Sequence, residues 1–155
     1  MYSNEIVCNT LDYINKNIMT KIKIKDLSDY LNYDRYYIMK LFKKELNISI
    51  IDYINIIKIK NSLQSIRENN NLLNISLNTG YYSLEYFSEM FKKILGINPS
   101  TYKKIINKNI NIKEKELKIF QKNYSKIAEK IEYINKYKNN RKPTTYQVKK
   151  LSIFK

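Results

Sequence analysis

The chain has 155 residues, and 29 basic against 14 acidic side chains leave it a net charge of +15. It has no histidine and a single cysteine, which removes the commonest neutral-pH general base and metal ligand and excludes an intrachain disulfide framework or a CxxC zinc site. Two glycines and two prolines are too few for the tight turns of an all-β fold, so an all-α protein is predicted: one compact domain, or two very small ones with an appendage.

Residues 1–5 lack the basic-then-apolar pattern of a signal peptide, and no apolar run approaches the ~18 residues a membrane span needs. A cytoplasmic protein is expected, with no membrane partner. Val7, Leu11, Ile14 and Ile18 recur at intervals of four, three and four, the face of a first helix. Cys8 on it reads as a small buried apolar residue. A Lys-rich link leads to a short amphipathic helix at Ile24–Leu31. Asn32, Tyr33 and Asp34 interrupt the pattern, with Asp34 suited to cap the next helix. That helix, Arg35–Leu46, turns Ile38, Leu41, Phe42 and Leu46 inward and Arg35, Tyr36, Met39, Lys40 and Lys43 outward. Asn47 tolerates the left-handed conformation that ends a helix, and Ser49 caps its successor. The long helix that follows, from Ile50 to about Arg67, is a connector.

The same grammar then returns. A short helix is predicted at residues 72–79, Gly80 supplies the positive φ of a sharp turn, and Ser83 caps the helix Leu84–Leu95. Gly96 ends it, Asn98 and Pro99 start another, and the last short helix carries Tyr102, Ile105 and Ile106. The segment Leu41-Phe-Lys-Lys-Glu-Leu-Asn-Ile-Ser-Ile-Ile-Asp-Tyr53 is echoed 49 residues later as Met90-Phe-Lys-Lys-Ile-Leu-Gly-Ile-Asn-Pro-Ser-Thr-Tyr102. A repeat at fixed offset means one supersecondary unit used twice. The register is 48 before the turn and 49 after it, so one extra residue sits in the second turn, near Gly80.

The remaining third, residues 108–155, carries a net +10 of the +15 total. A helix is predicted at about 113–138, because Leu117, Phe120, Tyr124, Ile127, Ile131 and Ile134 form a heptad-like seam. The seam packs on its own domain, bridges to something beyond, or joins two copies. Asn139, Asn140, Arg141, Lys142 and Pro143 read as a helix break, and Tyr146, Val148, Leu151 and Ile153 as the opening of a strand.

Two matched helix-turn-helix units on a basic chain fit a partner that repeats and is negatively charged, and duplex DNA is the leading candidate. A connector of about 17 residues is about 25 Å long, and with its turns it can hold two recognition helices about 34 Å, one DNA turn, apart.

Gly80-Tyr-Tyr-Ser83, Tyr86-Phe87, Phe91-Lys-Lys93, Gly96-Ile-Asn-Pro99 and Tyr102-Lys103, with Ile24-Lys-Asp-Leu-Ser28, Tyr37-Ile38, Leu41-Phe-Lys-Lys44, Tyr53 and Lys58 in the first unit, resemble the DNA-binding domain of AraC/XylS-type transcriptional regulators. The resemblance covers about residues 5–106. Ser28, Ser62 and Ser76 stand where that family usually has Ala, which close packing tolerates if the hydroxyls bond the backbone. Lys58 and Lys103 stand where Arg is typical, which keeps charge but loses the planar fork, and Tyr81 replaces the usual Phe.

The resemblance implies that the outward face near the start of each second helix reads bases. In the first unit these are Arg35, Tyr36, Met39 and Lys40, where Arg35 or Lys40 suits guanine and Tyr36 and Met39 suit thymine methyls. In the second they are Ser83, Leu84, Glu85, Ser88 and Glu89. The two glutamates oppose the phosphate field, so the first unit is expected to supply most of the base-specific affinity; simple solvated charges are the alternative for them. Phosphate contacts are expected from Lys23, Lys25, Lys43, Lys44, Lys58, Lys60, Lys92, Lys93 and Lys103, with helix N-termini near Ser49 and Ser100.

The expected function is a sequence-specific DNA-binding transcriptional regulator, an activator by family habit, that binds double-stranded DNA as a monomer. RNA polymerase is a candidate further partner. No catalysis, cofactor or metal is implied. The rival readings are a sequence-indifferent nucleic-acid binder and a protein-interaction module working through the C-terminal seam. Some members of the family carry an effector-binding α/β domain after the DNA-binding part, and residues 108–155 read as a shortened remnant of one. Their removal is expected to leave operator binding intact.

Overall fold

The computed structural model describes residues 3–68, 71–108 and 113–141. Among these there is no strand, and the chain runs through α1 (Ser3–Lys16), α2 (Ile24–Leu31), α3 (Arg35–Leu46), α4 (Ile50–Arg67), α5 (Leu72–Asn78), α6 (Leu84–Leu95), α7 (Pro99–Ile106) and α8 (Glu114–Arg141). The paired short helices α2 and α5 open 48 residues apart, and α3 and α6 open 49 apart. One residue is thus added between the two helix starts of the second unit, as expected; the turn itself gains two, residues 79–83 against 32–34, because α5 ends a residue earlier than α2 does.

Side-chain oxygens start the helices by accepting backbone N–H groups that have no partner inside the helix. Asp34 accepts from Tyr36 and Tyr37 at 3.0 and 3.1 Å, Ser49 from Asp52 at 3.0 Å, and Ser83 from Tyr86 at 3.1 Å. Asn71 caps α5 through Leu73 N–H at 2.8 Å. Asn98 stands at the start of α7 but makes no such side-chain bond. Left-handed residues end helices: Asn32 and Asn47 at φ 56° and 54°, and Gly96 at 80°. Helix α1 stops at Lys16, before the predicted face is complete, and Ile18 lies half-buried beyond it. There the Asn17 side-chain amide donates to the Tyr13 carbonyl at 2.8 Å, closing the helix with a polar group.

Two cores result. Leu11, Ile14, Leu27, Ile38, Phe42 and Leu46 of α1–α3 fill the first. Phe87, Phe91, Leu95 and Tyr102 of α6 and α7 fill the second. Helix α4 feeds both, with Tyr53 and Ile54 in the first and Ile59, Leu63 and Ile66 in the second. The three serines at the expected alanine positions are all satisfied. Ser62 and Ser76 donate three residues back, to Ile59 and Leu73 at 2.6 and 2.7 Å. Ser28 instead donates forward to the Tyr33 carbonyl at 2.6 Å, tying α2 to the turn.

Helix α8 crosses the two units in the opposite sense to α4. Ile127 and Ile131 enter the second core, Ile134 and Tyr137 the first. Most of the seam is therefore covered by the chain's own units, although Tyr124 stays exposed. Removing residues 108–155 cannot be neutral, because these four side chains are each at most 9% exposed and burial of each contributes about 1.5–3 kcal/mol. The helix also runs through Asn139 and Asn140 to Arg141, past the predicted end at 138. Lys142 and Pro143, and the predicted strand at residues 146–153, lie outside the described residues.

Candidate nucleic-acid interface

Asp34 fixes the first turn of α3, and this presents Arg35, Tyr36 and Lys40 to solvent on the helix's outer side. Tyr36 is 64% exposed. The Arg35 guanidinium sits over its ring, 4.7 Å from the centroid, and donates to its hydroxyl at 2.8 Å. A large aromatic and a paired cation on an exposed helix face form a contact surface that packing does not require. Met39 is half-buried against the first core, so only part of it is available to a partner.

The corresponding face of α6 differs in chemistry. Glu85 and Glu89 are exposed, and Ser88 is half-buried. Leu84 packs partly on the second core, and the Ser83 hydroxyl is engaged in capping. Of these five positions, the two that are exposed are both acidic. The basic groups follow in its last turn, where Lys92 and Lys93 are exposed, as are Lys43 and Lys44 in the last turn of α3. Lys23, at the start of α2, and Lys25 are exposed too, and Lys103 on α7 is half-buried. Lys60 is exposed but lines a groove with Tyr124 and Ile131 of α8, which groups it with that helix.

Lys58 is a correction. It is 4% exposed, and its ammonium donates to the Thr20 carbonyl at 2.6 Å and the Thr79 carbonyl at 2.5 Å. It cannot reach a phosphate from there. It bolts the α1–α2 link of the first unit to the turn of the second. Burial pulls its pKa down to about 8, which leaves it protonated at neutral pH, where the charge strengthens both bonds. Replacing Lys58 with methionine removes the donor of a buried bond to the Thr79 carbonyl and a part-buried bond to the Thr20 carbonyl, and is expected to cost about 2–3 kcal/mol, measured by urea unfolding at pH 7. A loss below about 0.5 kcal/mol, the level of a surface change, would refute the bolt.

Sequence reasoning missed the aromatics around the second turn. Tyr82 is 65% exposed, with the Lys21 ammonium 4.0 Å from its ring centroid, and Tyr86 is exposed one turn into α6. Both line a cleft of about 220 Å³ between the units, with Ile24, Ile51 and Ile54 on its other walls. The Tyr82 motif was visible, but nothing in the sequence shows that Lys21 reaches it from 61 positions away. Tyr81 is buried and donates to the Asn55 side chain at 2.8 Å, and burial raises its pKa above the ordinary tyrosine value. Among the described residues, no three His, Cys, Asp or Glu side chains gather where they could hold a metal, and no helix is long and apolar enough to cross a membrane.

Known proteins share the family signature and the fold. The helix-turn-helix domain family matches residues 27–105, from α2 into α7. The transcriptional regulatory protein HptR of Staphylococcus aureus is 34% identical over 101 residues, 65% of this chain and 38% of its own length. The match thus spans less than half of that relative. Among solved structures, the C-terminal domain of AraT, a response regulator from Geobacillus stearothermophilus, aligns with a TM-score of 0.62 at 26% identity, over 64% of this chain and 84% of that one. A Chromobacterium violaceum transcriptional regulator with an AraC-type DNA-binding domain shares the fold, with a TM-score of 0.61 at 18% identity over 69% of this chain and 96% of that one.

Proposed function

The chain belongs to the AraC-type helix-turn-helix family of DNA-binding transcriptional regulators, and from that premise we propose that it reads one asymmetric operator with both of its units. The observation that carries this is the pairing of α3 and α6, two helices at matched positions on a chain of net charge +15. Each lies in a unit joined to the other by the 18-residue α4, about 27 Å long. Such a connector suits entry into successive major grooves about 34 Å apart. One chain then serves both half-sites, so it binds double-stranded DNA as a monomer over about 20 base pairs.

On this reading Arg35, Tyr36, Met39 and Lys40 supply most of the base contacts, and Glu85, Ser88 and Glu89 select more than they attract. A glutamate accepts from cytosine N4 but repels phosphates. Ser83 and Leu84 contribute mainly by setting the start of α6. Lys23, Lys25, Lys43, Lys44, Lys92, Lys93 and Lys103 supply phosphate contacts. The regulator acts in the cytoplasm, with activation through RNA polymerase as the expected output.

The test is selection of bound duplexes from a random pool, followed by competition of the selected site against bulk DNA at about 150 mM salt. The selected site should win by roughly 10³ or more; equal competition would instead favour a sequence-indifferent binder held by the C-terminal charge. Lys40→Ala should relax base preference, whereas Lys43→Ala should weaken all sequences alike and lower the salt slope by about 1. Identical behaviour of these two variants would refute the division between base and phosphate contacts.

A further inference from the structure

Helix α8 holds both reading helices by the same end. Lys130 Nζ donates to the carbonyl of Leu46 at 2.7 Å, and Asn123 Nδ2 to the carbonyl of Leu95 at 3.3 Å. Leu46 and Leu95 are the last residues of α3 and α6, so the two grips occupy equivalent positions in the two units. The last carbonyls of a helix lack intrahelical partners and carry the negative end of its dipole. An amide and an ammonium are both suited to them. Asn123 and Lys130 are seven residues apart on α8, two turns of one face.

Neighbouring contacts reinforce each grip. Tyr137 donates to Glu45 Oε2 in the last turn of α3 at 3.1 Å, and Lys138 pairs with Asp12 of α1. Gly96, which ends α6, is covered by α8: a Cβ there would meet Ile119 Cγ2 and would lie 2.7 Å from Asn123 Nδ2. Between the grips, Ile127 and Ile131 enter the second core and Ile134 the first. Helix α4 and the Lys58 bolt already join the units, but the bolt holds them at the α1–α2 link and the second turn. The tie through α8 holds them at the C-terminal ends of α3 and α6 instead, and so limits the twist that remains about α4.

We propose that α8 is a spacing clamp, with Asn123 and Lys130 as positioning residues that fix the separation and rotation of α3 and α6. The chain thereby accepts a single distance between half-sites. This rests on the operator-reading function proposed above. One base pair more or less between half-sites shifts them by about 3.4 Å and about 35°, a mismatch that a clamped pair cannot absorb and a loose pair can.

The experiment compares the full chain with an Asn123→Ala, Lys130→Met double variant on the selected operator and on versions with one base pair inserted or removed between half-sites. The unaltered chain should lose about tenfold or more in affinity on the altered spacings, and the variant about threefold or less, on the scale of one mismatched base pair. Equal penalties would overturn the clamp. A second measurement needs no DNA. In a Cys8→Ala background, spin labels at Asp29→Cys and Asn74→Cys, both exposed on the first helices of the two units, should give one narrow distance that broadens in the variant. An unchanged distribution would also overturn the clamp. An unaltered chain that prefers no operator would instead overturn the operator-reading function, and the spacing role with it.

Discussion

Replacing Gly80 with alanine is expected to destabilise the protein by about 3–4 kcal/mol and lower its melting temperature by on the order of 10 °C. Gly80 sits at φ +80°, where an L-residue pays roughly 1–2 kcal/mol. The larger part comes from crowding. An added Cβ would run into the Lys58 ammonium and would lie 2.5 Å from the Thr20 carbonyl oxygen. That oxygen is backbone, so relief requires the α1–α2 link to move away and the bolt between the units to open. Gly96→Ala has the same φ of +80° but meets side chains of α8, Ile119 Cγ2 and Asn123 Nδ2, rather than backbone. Ile119 is stiff at its branch, so α8 must shift slightly, and the cost should be about 2 kcal/mol, at the top of the conformational part alone and below that at Gly80. Thermal unfolding of both variants tests the difference. Equal losses would show that φ accounts for everything and that the approach of the two units at Gly80 is without consequence.

Gly80 also shows where the sequence is informative and where it stops. Its need for a positive φ follows from its place between two helix patterns, and the caps at Asp34, Ser49 and Ser83 follow from local grammar, because each bonds only within its own first turn. The register shift between the units was readable for the same reason. The bolt was not readable. Lys58 donates to residues 38 and 21 positions away, and a lysine on a basic chain gives no sign that its ammonium is buried. The identity of α8 as a helix was plain from its apolar seam, but what covers the seam depends on how the two units sit together. Of the face proposed to read bases, the exposed placement of Arg35, Tyr36 and Lys40 follows from helical period. The partial burial of Met39 and Leu84 depends on neighbouring cores that the period does not reveal.

Ile134→Asp is expected to have the largest effect of any single change considered, about 4–5 kcal/mol or outright loss of cooperative folding. Ile134 is 2% exposed and belongs to the first core, although it lies on the helix that follows both units. The substitution removes a well-packed branched side chain, at about 2–5 kcal/mol for truncation, and buries a carboxylate in an apolar core, where Lys130 and Lys138, one turn away on the same helix face, are already bonded to Leu46 and Asp12. The sign of the pH dependence identifies the cause. Burial would raise the folded-state pKa of the new carboxyl above its unfolded value, so the electrostatic penalty is fully present above the folded pKa. It shrinks as pH falls through that value towards the unfolded one, near 3.9. The stability gap between Ile134→Asp and Ile134→Asn should therefore narrow on acidification from pH 7 to about pH 5, since Asn has no charge to lose. Chemical unfolding at the two pH values measures this gap. If instead Ile134→Asp unfolds like the original chain and binds the selected operator unchanged, α8 is a passive appendage. The two units would then stand on α4 and the Lys58 bolt alone.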